Sequence, residues 1–273
     1  MTVPARRRLP TGLSGRPTRL FPVRVARRTA LTPHMARITF EGPALADFAD
    51  DGPDQRVKLI LPRADGPGLD LPADLTPLDI LALPEAERPL MRTYTVRDAD
   101  PEARRVSVDF ALHHPAGPAT EWAAAARPGA EAALFGPVAA YAPPPDTAWQ
   151  LIAGDETALP AIAAIVERLP ARMPAHVVVS VPAPSAVLPL AVRPDTNVTW
   201  LPRTTGEPEG AEDRLTAAVR AANLPPGPGY AWVAAEQSVA GSVRRHLVHE
   251  RGMDRDRIYF SGYWRRGKSE GDA

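Results

Sequence analysis

The sequence predicts an antiparallel β-barrel followed by a doubly wound α/β domain. Short β-rich segments separated by turn residues occupy the first half of the 273 residues, as in small antiparallel barrels. In the second half, apolar strands alternate with helical stripes, which is typical of a parallel sheet covered on both faces. Three consecutive prolines at positions 143–145 lie between the two patterns, and such a stiff segment favours a domain boundary there.

The predicted barrel has five clear β-rich segments, at residues 21–25, 35–40, 57–61, 92–96 and 106–112. Apolar residues alternate with others in the first of them, as Phe21, Val23 and Val25 show. Turn residues such as Asp98-Ala99-Asp100-Pro101 separate the segments. Residues 119–126 are rich in alanine and predict one short helix, which Thr120 can cap.

The second half alternates strand and helix and contains no internal repeat. Strands are predicted at residues 149–153, 176–181, 197–201, 230–234 and 257–260. An apolar stripe at helical spacing runs from Leu159 to Leu169, and two further helices are predicted at residues 209–222 and 237–251. Because the strand at 176–181 is almost continuously apolar, it fits a parallel sheet that is buried on both faces.

Composition excludes several kinds of chemistry. The chain has no cysteine, so disulfides, thiolate nucleophiles and cysteine-ligated clusters are excluded, and redox chemistry would need a bound cofactor. The 32 basic residues balance the 32 acidic ones, which argues against nucleic-acid binding through overall charge. No apolar run reaches the ~18–20 residues of a membrane span. The N-terminus lacks an apolar signal segment, so we expect a cytoplasmic protein.

A first candidate site is the strand segment Arg92-Thr93-Tyr94-Thr95. Alternation along a strand places Arg92 and Tyr94 on one face and Thr93 and Thr95 on the other. An arginine can pair with phosphate oxygens, a tyrosine ring can lie against a flat ring system, and a threonine hydroxyl can donate a hydrogen bond to a ring nitrogen. These properties suit a flavin nucleotide, although an ordinary solvent-facing strand has a similar composition.

A second candidate site connects the strand that ends at Leu112 to the helix near Thr120. The connection reads His113-His114-Pro115-Ala116-Gly117-Pro118-Ala119-Thr120. Backbone N–H groups at a helix start bind anions, so those near Ala119 and Thr120 could bind a pyrophosphate together with the Thr120 hydroxyl. The alternative is a simple capped helix. Adjacent histidines on a strand point to opposite faces and no further ligand completes a cluster, so we expect no metal site.

The third candidate site, Gly154-Asp155-Glu156-Thr157, lies between a predicted parallel strand and the helix that starts near Leu159. Open α/β sheets bind ligands at such turns. The segment is not GxGxxG, and its two carboxylates would repel a pyrophosphate placed directly on them. We therefore expect a different ligand geometry, such as a nicotinamide ribose reaching over the turn. Without a ligand, the two acids would serve only as favourable caps for the helix.

Together these segments resemble the siderophore-interacting protein family, whose members are FAD-dependent ferric-siderophore reductases related in fold to ferredoxin–NADP reductases. Residues 92–95 resemble the family's R-x-Y-[ST] flavin motif, and residues 154–162 its G-D-E-T-A-L-P-A-I motif. Residues 106–122 resemble its V-x-x-D-F-V-x-H…G-P-A-S-x-W pattern, with Thr120 in place of serine. Tyr263-Trp264-Arg265 belongs to its closing pattern. The resemblance covers about residues 20–268.

The resemblance implies a Greek-key FAD-binding barrel at residues 19–143 and an NAD(P)H-binding domain at residues 144–268. A lead-in at 1–18 and a tail at 269–273 flank them. The residues implied for FAD are Arg92, Thr93, Tyr94, Thr95, Asp109, Ala111, His113, Gly117, Pro118, Ala119 and Thr120. Those implied for NADPH or NADH are Gly154, Asp155, Glu156, Thr157 and Arg203. Arg203 follows a parallel strand, where it could meet a 2′-phosphate, and it therefore favours NADPH.

The family's function implies that electrons pass from NAD(P)H through FAD to Fe(III) held by an anionic siderophore. A cationic pocket beside the flavin is then expected, and the matching residues are Lys58, Arg265 and Lys268. Such electron transfer requires no side-chain acid or base, so no catalytic residue is predicted. Family members commonly have G-P-R-G-S after the last barrel strand, whereas this chain has Val138 at the arginine position.

Two other functions fit the same residues. A general NAD(P)H:flavin or diaphorase-type reductase would use the same scaffold with another acceptor. A ferric-chelate binding protein would carry neither flavin nor activity, so bound flavin separates it from both reductases. The basic residues Lys58, Arg265 and Lys268 distinguish the siderophore reductase from the general one. We expect a monomer whose partner is a ferric siderophore.

Overall fold

A computed structural model describes residues 15, 18–63, 68–72, 74–113, 115–203 and 213–268. Six antiparallel strands form a closed barrel in the first half, and five parallel strands form an open sheet in the second. The predicted fold class is therefore confirmed. The expected lead-in at 1–18 and tail at 269–273 lie outside the described residues, apart from Gly15 and Thr18. Among the described helices, none has the length and apolar character needed to cross a membrane.

The spatial order of the barrel strands differs from their order in the chain. They are β1 (Arg19–Thr32), β2 (Met35–Glu41), β3 (Arg56–Leu61), β4 (Leu90–Asp100), β5 (Arg105–Ala111) and β6 (Glu131–Val138). Their order is β1-β2-β5-β4-β3-β6, and β6 closes the barrel by pairing with both β1 and β3. Because the chain passes from β2 to β3 across two other strands, the barrel has the Greek-key connection.

The barrel core follows from strand alternation, because every second residue points inwards. Its largest fully buried side chains include those of Phe21, Phe40, Phe110, Leu59 and Leu134. The residues between them point outwards, where they can contact the second half of the molecule or a ligand.

A short helix, α1 (Pro77–Ala82), was not among the predicted elements. Thr76 and Asp79 form a capping box in which each side chain accepts a hydrogen bond from the other's backbone N–H. The signal was therefore present as a threonine followed three residues later by an acid. The helix packs Ile80 against the outer face of the barrel.

The helix expected at residues 119–126 is α2 (Pro118–Ala125). Gly117 occupies its N-cap, and Pro118 is the first helical residue. Proline suits that position because its missing N–H would have no partner there. The prediction that Thr120 caps this helix is wrong, since Thr120 lies inside the first turn.

The parallel strands are β7 (Trp149–Gly154), β8 (Ala175–Val181), β9 (Thr196–Pro202), β10 (Gly229–Glu236) and β11 (Ile258–Trp264). The helices are α3 (Leu159–Glu167), α4 (Arg214–Ala221) and α5 (Gln237–His249). Most boundaries agree with the predictions within two residues. The last strand, however, continues to Trp264, and α4 begins at Arg214. Part of the longer helix predicted at 209–222 lies outside the described residues.

The sheet order is β11-β10-β7-β8-β9. Helix α3 covers one face, where it packs with Ile152, and α4 and α5 cover the other, where they pack with Leu151. From β7 the chain proceeds to β8 and β9 and then returns to β10 on the opposite side of β7. Such sheets bind ligands outside the carboxyl ends of the strands at this switch point, which here lies between Gly154 and Glu236.

A buried carboxylate joins the two halves of the molecule. Asp54, in the loop before β3, is fully buried. Its Oδ1 accepts hydrogen bonds of 2.9 Å from the backbone N–H groups of Ala140 and Tyr141, which follow β6. Its Oδ2 accepts one of 3.1 Å from the indole of Trp232 on β10. One side chain therefore fixes the barrel, the connecting segment and the parallel sheet relative to one another.

Candidate functional site

The outer face of β3 and β4 carries two threonines beside two cations. In the antiparallel register Thr93 pairs with Lys58 and Thr95 with Arg56. Lys58 Nζ donates a hydrogen bond of 2.7 Å to Thr93 Oγ1. Arg56 Nη1 donates one of 2.7 Å to the hydroxyl of Tyr259 on β11. This face of the barrel therefore lies against the parallel sheet.

Arg92 and Tyr94 lie on the other face of β4, as the alternation predicts. Arg92 pairs across the ladder with Leu59 of the barrel core, and its Nη1 donates a hydrogen bond of 2.8 Å to the carbonyl of Met91. The Tyr94 ring packs on Phe110 with 4.3 Å between centroids. A guanidinium and an aromatic ring therefore share one face, and their contact with a flavin stays a prediction.

Two hydroxyls at the contact between β4 and β11 are buried without a well-aligned hydrogen bond in the described part of the chain. They belong to Thr95 and Tyr263. Burial raises the pKa of the Tyr263 hydroxyl above its usual range, while the nearby charge of Arg56 and a contact with the Thr95 hydroxyl lower it, so the two hydroxyls lie close to each other. An unpartnered buried hydroxyl costs about 1–3 kcal/mol. Both groups therefore fit a ligand that presents a hydrogen-bonding edge at this position, as a flavin ring does.

The start of α2 is organised by a histidine. His113 Nδ1 lies 2.8 Å from the carbonyl of Pro115, and its Nε2 lies 3.1 Å from Thr120 Oγ1. Because a carbonyl only accepts, Nδ1 carries the proton, and in the neutral ring Nε2 accepts from Thr120. Gly117 offers no side-chain cap, so the backbone N–H groups of Ala119 and Thr120 are the donors that an anion would meet there.

Two further residues implied for FAD, Asp109 and Ala111, face the second half of the molecule. Arg37 holds Asp109 in a two-point ion pair, with Nε–Oδ1 at 2.6 Å and Nη2–Oδ2 at 2.8 Å. Asp109 lines a cavity of about 190 Å³ between the barrel and α3, and Ala111 packs against the core beside α3. The ion pair of Asp109 therefore lies within the barrel, Ala111 packs against the second half, and contact of either residue with FAD stays a prediction.

Asp155 links the carboxyl ends of three strands. Its Oδ1 accepts hydrogen bonds from the backbone and hydroxyl of Thr157, at 2.9 and 2.5 Å. Its Oδ2 accepts from the backbone N–H of Glu236 at 2.9 Å and from the Trp264 indole at 2.8 Å. Burial raises the pKa of Asp155, and the charge of Glu156 adds to that rise. With four donors, Asp155 is a structural residue of the site.

Gly154 and Glu156 have distinct roles at the same edge. A Cβ on Gly154 would lie 2.5 Å from the carbonyl oxygen of Ala234, so only glycine lets β7 end so close to β10. Glu156 forms a two-point ion pair with Arg203, with oxygen–nitrogen distances of 2.8 and 2.5 Å. The structure thus brings together two residues that were implied separately for NAD(P)H. Neither acid caps α3, whose N-cap is Ala158.

The basic residues near the C-terminus form a turn at the end of β11. The backbone N–H of Lys268 donates to the Arg265 carbonyl at 3.2 Å, and Gly267 has the positive φ of 72° that the turn requires. Glu236 Oε1 accepts a hydrogen bond from the Arg266 backbone at 3.3 Å. The turn follows Tyr263, which lies close to Arg56 and Thr95 of the barrel. The grouping of Lys58, Arg265 and Lys268 in one pocket stays a prediction.

Arg56 is a site residue that the sequence analysis did not identify. It pairs across the ladder with Val138, which stands where family members commonly have an arginine. A cation is therefore present on the neighbouring strand, although its guanidinium is engaged by Tyr259. The available signal was an arginine two residues before Lys58 and therefore on the same face of the strand.

Comparison with known proteins agrees with this geometry. The family model for the siderophore-interacting FAD-binding domain matches residues 24–141, and the model for siderophore-interacting protein matches residues 147–267. The ferric vibriobactin reductase ViuB of Vibrio cholerae is 29% identical over 246 residues, which cover 89% of each chain.

Two solved structures share the whole architecture. The siderophore-interacting protein SipS from Aeromonas hydrophila is 30% identical, with a TM-score of 0.79 and coverage of 93% of this chain and 94% of that one. A siderophore utilization protein from T. fusca is also 30% identical, with a TM-score of 0.80 and coverage of 93% and 95%. The chain therefore belongs to the siderophore-interacting protein family and contains that family's FAD-binding domain.

Proposed function

We propose that this protein is an FAD-dependent ferric-siderophore reductase that takes electrons from NADH or NADPH. The observation that carries the proposal is the pair of buried hydroxyls of Thr95 and Tyr263, which form no well-aligned hydrogen bond in the described part of the chain and which Lys58 and the basic turn 265–268 would border. A buried hydrogen-bonding edge suits a flavin ring, and adjoining cations suit an anionic acceptor. The similarity to a ferric vibriobactin reductase supports the same reaction.

The barrel supplies the residues for FAD. Arg92 would pair with a phosphate and Tyr94 would lie against a ring or ribose, while Thr95 would donate to the flavin ring. The N–H groups of Ala119 and Thr120 would bind the pyrophosphate. When bound, FAD accepts a hydride from the donor and passes electrons singly to the acceptor.

The parallel sheet supplies the donor side. Because Gly154 has no side chain, the turn after β7 lies close to the end of β10 at the switch point. A nicotinamide nucleotide could therefore pass over this turn. Glu156 and Arg203 stand at the edge of the same crevice. Asp54 keeps the barrel and the sheet in one relative position. The proposed FAD site and the proposed donor site would therefore keep a fixed distance and orientation.

The basic residues supply the acceptor side. Lys58, Arg265 and Lys268 would hold a ferric siderophore through its negative charge, beside the outer face of β4. Reduction to Fe(II) weakens binding by hard oxygen ligands and releases the iron. The residues of this chain therefore act by positioning and charge, and none of them needs to exchange a proton with the siderophore.

The test is an absorption spectrum of the purified protein, followed by NADH or NADPH and then a ferric catecholate siderophore, all without oxygen. We expect a yellow protein that bleaches with the donor and recovers its colour with the chelate, while an Fe(II) indicator responds. Without the electron donor, the signal of the Fe(II) indicator should not change. A protein that bleaches but recovers only with other acceptors would be a general reductase, and a colourless protein that still binds the chelate would be a binding protein.

A further inference from the structure

We propose that the ion pair between Glu156 and Arg203 makes the donor site selective for NADH over NADPH. The inference rests on the proposed function, because it concerns the electron donor of that reaction. It reverses the preference that the sequence position of Arg203 suggests when the residue is considered alone.

The first argument is the geometry of Arg203. Both terminal nitrogens of its guanidinium are bonded to the two carboxylate oxygens of Glu156, at 2.8 and 2.5 Å. Glu156 follows β7 and Arg203 follows β9, so the pair spans the carboxyl end of β8 between them. The side chain of Glu156 is only 15% exposed. The fork of donors that recognises a phosphate is therefore already engaged by a largely buried acid.

The second argument is the surrounding charge. Hydrogen bonding to Glu156 raises the pKa of Arg203, and the charges of Asp155 and Asp213 add to that rise. Three carboxylates thus act on one guanidinium. Arg214 is a nearby cation, and its Nη1 donates a hydrogen bond of 2.6 Å to the carbonyl of Pro202.

These observations treat the two donors differently. The 2′-phosphate of NADPH would either displace Glu156, leaving a shielded carboxylate without its cation next to Asp155, or sit beside that carboxylate as a second anion. Either arrangement is unfavourable. The ribose of NADH has a 2′-hydroxyl instead, which can donate to the Glu156 carboxylate, as acids at the ribose position of NAD-binding sheets do. Arg203 then orients Glu156 and does not bind phosphate.

The test compares binding of adenosine 5′-monophosphate and adenosine 2′,5′-bisphosphate to the purified protein by calorimetry. We expect the wild type to bind the monophosphate at least tenfold more tightly. The variant Glu156→Gln should release Arg203 and gain at least tenfold in affinity for the bisphosphate, while the monophosphate should bind less tightly than to the wild type because its 2′-hydroxyl loses the carboxylate to which it donates. Glu167→Gln is the matched control, because it removes the partner of Arg97 on α3 by the same chemical change and should alter neither affinity.

The outcomes separate this inference from the proposed function. Equal binding, or tighter binding of the bisphosphate by the wild type, would overturn the selectivity while leaving the donor site intact. An unchanged preference in Glu156→Gln would overturn the role of the ion pair. Binding of neither nucleotide would contradict the donor site of the proposed function and, with it, the selectivity.

Discussion

Trp264 Nε1 donates a hydrogen bond of 2.8 Å to Asp155 Oδ2. The bond joins the turn after β7 to the end of β11, two segments that lie 109 residues apart in the chain. Asp155 also accepts from Glu236, and Glu236 in turn accepts from the backbone of Arg266. The basic turn proposed to bind the siderophore is therefore held by the same acids that shape the donor edge of the sheet.

Replacing Asp155 should therefore affect both stability and the acceptor site. Asp155→Ala leaves four donors without their acceptor, so we expect the free energy of unfolding to fall by about 3 kcal/mol or more. Urea unfolding measures this, and the apparent KM for the ferric siderophore should rise because the turn 265–268 loses its support. The matched change Asp146→Ala removes the exposed partner of Arg257 and should leave unfolding nearly unchanged. Equal effects of the two variants would contradict the linking role of Asp155.

Thr95→Val tests whether the buried hydroxyl is kept for a ligand. In FAD-stripped protein the change removes a hydroxyl that makes no well-aligned hydrogen bond, so the free energy of unfolding should change by less than about 1 kcal/mol. FAD binding, followed by flavin fluorescence, should weaken by about 0.5–1.5 kcal/mol.

The control for that variant is Thr39→Val, which removes a buried hydroxyl that does have a partner. Thr39 Oγ1 and Ser107 Oγ lie 3.1 Å apart, so this change should lower the free energy of unfolding by about 1–3 kcal/mol and leave FAD affinity unchanged. If Thr95→Val destabilises the FAD-stripped protein as much as Thr39→Val does, the hydroxyl is structural.

Arg92→Ala should cause loss of FAD during purification. If Arg92 pairs with a phosphate, removing the charged hydrogen bond weakens FAD binding by about 1.5–3 kcal/mol. The ratio of flavin absorbance to protein absorbance measures the retained cofactor. Arg105→Ala, which removes an exposed partner of Glu41 on the barrel, should retain as much FAD as the wild type. Stoichiometric FAD in the Arg92 variant would count against the phosphate contact.

Replacing Lys58, Arg265 and Lys268 together by alanine should raise the apparent KM for an anionic ferric siderophore by about tenfold or more, because three adjoining charges are lost. Reduction of the flavin by NADH should be unchanged, and added salt should weaken the wild type more than the variant. The matched control replaces three exposed arginines elsewhere on the surface, Arg24, Arg105 and Arg220. A similar rise in that control would show an effect of net charge alone.

The sequence was sufficient for the architecture because its signals are local. The apolar strand at 176–181 and the stripe from Leu159 to Leu169 depend only on neighbouring residues, and the structure confirms both elements. The cap assigned to Thr120 failed because Pro118, two residues earlier, is the better first residue of a helix.

The site was less predictable because its contacts are long-range. Asp155 and Trp264 belong to the most specific motifs of the chain, yet no local pattern shows that they bond to each other. The same holds for Arg203, which looked like a free cation until the fold placed Glu156 against it. Residue identity indicated which segments matter, whereas the pairing of charges required the topology of the sheet.

The hydrogen bond between Asp54 and Trp232 has a consequence for expressing the two halves of the chain as separate fragments. A cut at the prolines 143–145 would separate the carboxylate from the indole, and it would also split the apolar core that Met35 of β2 shares with α3. Two folds are thus present, and we expect them to unfold as one cooperative unit. Fragments ending at the prolines should be soluble and stable only when they are produced together, as complementing pieces of a single molecule.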